Sequence, residues 1–222
     1  ALVWNMECGT GAVFGFTNEW FQFVLGLYDR LPLRLEPHDW AAVCAREVQH
    51  AFPAYARLIV DRLTRTRLDD PELEARRVVL VLHRDPGRYA PHLDTARDRE
   101  PDYVVGRSMF ETDRISDAWL PAISQNVHEV WVPSEFNRGT FARSGVDAGM
   151  LHVIPEAVDT DLFDPAAAHA MRTLAVGPDA AGGGAPAPFV FLSVMKWEGR
   201  KCWRCLVEAY LREFAGADAG KV

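Results

Sequence analysis

The segment Leu2-Val3-Trp4-Asn5-Met6-Glu7-Cys8-Gly9-Thr10-Gly11-Ala12-Val13-Phe14-Gly15-Phe16-Thr17-Asn18-Glu19-Trp20 decides the fold class. Leu2–Met6 has the apolar, β-prone character of a buried strand. The glycines at 9, 11 and 15 make a turn in which backbone N–H groups can approach a phosphate or a sugar. Thr17-Asn18-Glu19 can cap a helix that carries Trp20, Phe23, Val24 and Leu27 on one side. Strand, glycine turn and helix form the opening unit of an α/β protein with a parallel sheet.

The same alternation continues outward. Leu33 to Glu36 reads as a second strand, Trp40 to Thr66 as one or two helices broken near Pro53, and Val78-Val79-Leu80-Val81-Leu82 as a buried strand ending at His83. Tyr103-Val104-Val105-Gly106 and Glu129-Val130-Trp131-Val132 are further strands, with helical character from Ile115 to Asn126 between them. Ser134 stands where an N-cap belongs, and Gly145 where a left-handed residue would end the next helix. A last strand, Leu151-His152-Val153-Ile154, stops at Pro155. Helices alternating with strands in this way cover both faces of a mainly parallel, Rossmann-like sheet.

From Pro165 to Pro188 the chain is rich in Ala, Gly and Pro, the composition of a linker. The expected organisation is therefore a Rossmann-like domain over 1–165, a linker over 166–188, and the start of a second Rossmann-like domain over 189–222. That second domain would open with a strand, Phe189 to Val194, and an amphipathic helix, Trp203 to Phe214. One βα unit cannot bury both of its faces, so a domain cut short after its first unit is expected.

Composition narrows the function. The 222 residues carry 24 Lys and Arg against 31 Asp and Glu, a net charge of −7. Broad electrostatic binding to nucleic acid or anionic lipid is not expected, so a bound phosphate needs a local site. No apolar run approaches the ~20 residues of a membrane span. Four cysteines do not make a disulfide scaffold, which favours a reducing, cytoplasmic setting over a secreted one.

Several residues could carry chemistry. Gly9, Gly11 and Gly15 have G-x-G-x-x-x-G spacing, one residue longer than the strict dinucleotide fingerprint, and Glu36 lies where a ribose-binding acid would fall. A tight βα turn accounts for the same glycines. His83 and Glu111 follow strands at the carboxyl edge, where ligands gather on such sheets, although capping roles are common there too. Lys196, Arg200 and Lys201 crowd the turn before the last helix, a place suited to an anion. Cys202-Trp203-Arg204-Cys205 has C-x-x-C spacing but no second ligand pair, so two packing cysteines are expected rather than a metal or redox centre.

Two longer stretches carry a family resemblance. Val130-Trp131-Val132-Pro133-Ser134-Glu135-Phe136, followed by Val153-Ile154-Pro155-Glu156-Ala157-Val158-Asp159-Thr160-Asp161-Leu162-Phe163-Asp164-Pro165, resembles the retaining glycosyltransferases of the GT-B fold, the family-four group. There a strand ending near V-P-S is followed by one ending I-P-N-G-V-D-x-x-x-F-x-P. Ser193-Val194-Met195-Lys196-Trp197-Glu198-Gly199-Arg200-Lys201-Cys202 is similar to the segment V-G-R-x-x-x-x-K-G that opens the family's donor domain. Gly106-Arg107-Ser108-Met109-Phe110-Glu111-Thr112-Asp113 looks like a segment that relatives place at the cleft between domains. The likeness spans essentially the whole chain, with its specific motifs between Gly106 and Phe214.

The resemblance implies an acceptor-side domain, with Gly9, Gly11, Gly15, His83 and Glu111 at the acceptor cleft. Lys196, Arg200 and Lys201 would meet the diphosphate of a UDP- or GDP-sugar, and a glycan, lipid or other hydroxyl compound would accept the sugar with retention. No metal or other cofactor is implied, and no catalytic residue is assigned. Lys stands for Arg at 196, Cys for Gly at 202, and Glu156-Ala157 for Asn-Gly, removing a bidentate contact and two permissive backbone positions. The two glutamates, eight apart, that contact donor sugar and nucleotide would fall beyond residue 222, which implies a fragment inactive on its own. Two other functions fit the same residues: an NAD(P)-dependent oxidoreductase built on the Gly9–Gly15 turn, and a non-catalytic module.

Overall fold

A computed structural model describes residues 1–7, 15–38, 77–90, 100–160, 164, 191–195 and 197–214. The chain divides into two compact units, Ala1–Ala167 and Ala168–Val222.

The first unit is built on six strands: β1 (Leu2–Glu7), β2 (Leu33–His38), β3 (Val79–His83), β4 (Tyr103–Arg107), β5 (Glu129–Val132) and β6 (Leu151–Val153). They form one sheet in the order β2-β1-β3-β4-β5-β6, and every pair is parallel. This is an α/β, Rossmann-like sheet. The order reverses at β1: the chain goes outward to β2 and returns on the far side of β1 as β3. Such a reversal leaves a crevice beyond the carboxyl ends of the two central strands, here Glu7 and His83. Pro37 is tolerated because β2 is an edge strand and one face of its backbone needs no ladder partner.

Alternation along the strands feeds two cores. On one face Val3, Leu80, Leu82, Val104, Val130 and Val132 pack with Tyr89, Ile123 and Phe141. On the other, Trp4, Leu33, Leu35, Val81 and Val105 pack with Trp20, Phe21 and Val24 of helix α1 (Gly15–Leu27). Successive strand residues point to opposite faces, so each strand serves both layers. Trp20 and Phe21 are fully buried. Helix α1 starts at Gly15, two residues before the expected cap at Thr17. Thr17-Asn18-Glu19 therefore lie inside the helix, and Glu19 falls on its buried side.

The 115–126 stretch is a short 3-10 turn, Asp117–Trp119, followed by helix α2 (Leu120–Asn126), with Pro121 in the first turn where a missing N–H costs nothing. Helix α3 (Glu135–Arg143) begins as the sequence predicts: Ser134 Oγ accepts a hydrogen bond from the Asn137 N–H at 3.3 Å. It ends at Gly145, whose φ of 110° is open to glycine alone at little cost. The long helical stretch expected over Trp40–Thr66 and the linker from Pro165 to Pro188 lie outside the described residues.

In the second unit, helix α4 (Trp203–Phe214) has its expected bounds. The strand expected from Phe189 does not form over residues 191–195, which have no ladder partner among the described residues. Apolar content and β-branching favour a strand only where a neighbour receives its hydrogen bonds. Phe191 instead packs its ring on Tyr210 and Phe214 of α4, at 5.7 and 5.4 Å. Cys202 and Cys205 are also not the packed thiols expected. Both are exposed and joined in a disulfide, their Cα atoms 5.2 Å apart, because C-x-x-C spacing across a helix start brings the side chains within bridging reach.

Candidate functional site

The carboxyl edge of the sheet is held by a buried polar network. His83 ends β3, Arg107 ends β4, and the two are register partners. Glu19 reaches them from α1: its Oε2 lies 3.2 Å from His83 Nε2, and its Oε1 accepts from Arg107 Nη2. Arg107 also donates from Nη1 to the carbonyl of Ile154, just past β6, at 2.5 Å, and its guanidinium lies over the Phe23 ring at 5.5 Å. Trp4, stacked on Phe23, closes the group beside the His83 ring. One carboxylate thus ties α1 to β3, β4 and, through Arg107, the exit of β6.

Electrostatics follow from this burial. Desolvation pushes the Glu19 carboxyl up, but the His83 hydrogen bond and the charges of His83 and Arg107 outweigh it and hold Glu19 below its ordinary range. Burial dominates at His83 and lowers its pKa despite Glu19, so the imidazole is neutral near pH 7. Burial, with the Glu19 charge, raises Glu156, and burial with Glu111 raises Asp85.

A second group of buried polar atoms flanks the first. Arg84 directly follows β3 and donates its backbone N–H to the Arg107 carbonyl at 3.2 Å. Its side chain is 6% exposed, and neither Nε nor Nη2 has a hydrogen-bond partner. Ser108 directly follows β4 and is 1% exposed, its Oγ beside the Tyr89 phenol, yet the two hydroxyls do not complete a well-oriented hydrogen bond. The Tyr89 ring lies flat against Gly106: a Cβ there would sit 2.5 Å from Tyr89 Cζ. Only glycine leaves room for that ring.

Of the residues singled out in the sequence, His83 stands at the carboxyl edge but is wholly buried, engaged by Glu19 rather than open to a ligand. Glu111 is exposed on the loop after β4. That loop is pinned to α3, where Asn137 Oδ1 accepts from the Phe110 N–H at 2.8 Å and Thr140 Oγ1 donates to the Thr112 carbonyl at 3.3 Å. Gly15 opens α1, while Gly9, Gly11, Lys196 and the side chain of Glu36 lie outside the described residues. Arg200 and Lys201 are exposed in a 3-10 turn before α4, with Arg200 Nε 3.0 Å from Glu198 Oε2.

Sequence reasoning missed Glu19, Arg84 and Arg107. A charged residue inside an apolar helix stripe, and arginines at the ends of two buried strands, were the available signals. Two grooves on the described surface of this unit, one between α2 and Gly145–Met150 and one around Glu100–Val104 and Ser124–His128, lie away from the carboxyl edge. Among the described residues no group of three or more His, Cys, Asp or Glu could hold a metal, and no helix is long and apolar enough to cross a membrane. Comparison of the chain with protein-family models, with curated proteins and with solved structures finds no match.

Proposed function

We propose that the chain belongs to a retaining glycosyltransferase of GT-B type, with the six-stranded unit on the acceptor side and the 196–214 segment opening the nucleotide-sugar side. The acceptor hydroxyl compound would sit at the carboxyl edge near His83 and Glu111. The diphosphate of a UDP- or GDP-sugar would leave toward Lys196 and Lys201, whose positive charge offsets the charge that develops there without a required metal.

The observation that carries the reading is the backbone of Cys202. It is the one non-glycine residue with positive φ among the described residues, at φ 50° and ψ 39°. It stands where the resembling family has glycine, directly after the phosphate-binding lysine and before a helix. A left-handed residue there opens a basic turn onto a helix N-terminus, a geometry suited to a phosphate. The V-P-S stretch lies at the end of β5, the Ser134 N-cap and the start of α3, an arrangement that supports the reading.

Equilibrium binding of UDP, GDP, NADH and NADPH to the 222-residue chain tests this reading. The expected result is a preference for UDP or GDP over either nicotinamide nucleotide, weakened by Lys196→Ala and Lys201→Ala and by added salt. Preference for NADH or NADPH would instead mark an oxidoreductase built on the Gly9–Gly15 turn. Binding of none would mark a non-catalytic module.

A further inference from the structure

From the orphaned polar atoms at the carboxyl edge we infer that Arg84, with Ser108 and Tyr89, forms a binding site for an anionic group, a carboxylate or a phosphomonoester, at the ends of β3 and β4. That the anion is carried by the sugar acceptor rests on the glycosyltransferase reading; the site itself does not.

A guanidinium keeps its charge in any protein environment and needs acceptors for its N–H groups. Arg84 is 6% exposed, and its Nε and Nη2 have none. No carboxylate of the described residues pairs with it. Leaving such a charge buried and unmatched costs several kcal/mol, so native proteins do it where a ligand completes the arrangement. Arg107, the neighbouring buried arginine, shows the contrast, with Glu19, the Ile154 carbonyl and the Phe23 ring all engaged.

The hydroxyls add what an oxyanion needs. Tyr89 and Ser108 each bring a buried O–H without a well-formed bond, and Ser108 directly follows Arg107, whose carbonyl accepts from the Arg84 N–H at 3.2 Å. A planar guanidinium fork and two hydroxyl donors are the groups that recognise carboxylate and phosphate oxygens. The position is also on the carboxyl edge, where open parallel sheets take ligands, since Arg84 follows β3 and Ser108 follows the adjacent β4.

The test is calorimetric titration of the 222-residue chain with inorganic phosphate and with acetate, at constant ionic strength against chloride, alongside thermal melting. Wild type should bind at least one of the two anions and gain thermal stability from it. Arg84→Met should weaken that affinity about tenfold or more and, by removing an unmatched charge, should not lower the melting temperature in anion-free buffer. Ser108→Ala should weaken it less, and Arg138→Ala, on the exposed side of α3, should leave it unchanged. A phosphate preference points to a phosphorylated ligand, an equal or greater response to acetate to a carboxylate. No anion binding by wild type, or equal affinity in Arg84→Met, would overturn the site. Anion binding at Arg84 without UDP or GDP binding would retain the site and remove the glycosyltransferase reading.

Discussion

Glu19 and Arg107 are 88 residues apart in sequence and form a buried ion pair at the carboxyl edge of the sheet. The same carboxylate holds His83, so three ionisable residues, each 4% exposed or less, share one site. Together they anchor the first helix to the ends of β3 and β4.

Breaking this pair from one side should cost far more than removing both partners. Glu19→Leu leaves the Arg107 charge buried with only the Ile154 carbonyl and the Phe23 ring, a loss of about 3–5 kcal/mol. Glu19→Leu/Arg107→Met should recover much of that loss, because no charge remains unmatched. Urea denaturation of the single and double variants measures the coupling; additive losses would mean that the two side chains act independently.

Stability should fall as pH drops below the ordinary histidine value of 6.5, because the unfolded chain then takes up a proton that buried His83 refuses. A lowered folded-state pKa makes the contribution of His83 complete above that value and progressively smaller beneath it, by up to about 1.4 kcal/mol per pH unit. Glu19, also lowered, adds a loss of the same sign below its ordinary 4.5, while Asp85 and Glu156, both raised, oppose it. His83→Gln isolates the histidine: its melting temperature should depend less on pH between 5 and 7 than that of wild type, and parallel profiles would count against the assignment.

Gly106→Ala should destabilise the first unit by about 1–3 kcal/mol. The added methyl would meet the ring of Tyr89, fully packed against the strand at 2% exposure. Gly106→Ala/Tyr89→Leu should restore part of the loss by making space, a rescue that chemical denaturation reads directly. No destabilisation in the single variant would show that the ring can swing aside.

At Cys202 the left-handed backbone predicts a difference between two variants that both lack the disulfide. Cys202→Gly should hold the start of α4 about 1 kcal/mol more stably than Cys202→Ala, since glycine adopts positive φ without a steric penalty. Amide hydrogen exchange over Trp203–Phe214 measures it. Equal protection would mean that the turn relaxes once the bridge is gone, and the glycine-like geometry at the basic turn would lose its support.

Much of the first unit is written locally. Continuous apolar, β-branched runs in Val79–His83 and Tyr103–Arg107, the Ser134 cap and the Gly145 stop all depend on neighbours within a turn or a strand, and local composition carries them unaided. The bounds of α4 are legible for the same reason. What a local pattern lacks is the partner. Residues 191–195 have strand character but no neighbouring strand, and the C-x-x-C residues look like apolar filler until a helix start sets them side by side. Only the sheet order brings His83 and Arg107 into register and lets Glu19 reach them over 64 and 88 residues of chain. The unmatched Arg84 beside Ser108 and Tyr89 is likewise a product of tertiary structure, since sequence shows that an arginine is present but not what burial has taken away from it. The energy of a buried charge depends on the dielectric and the acceptors around it, and these exist only once distant segments have packed.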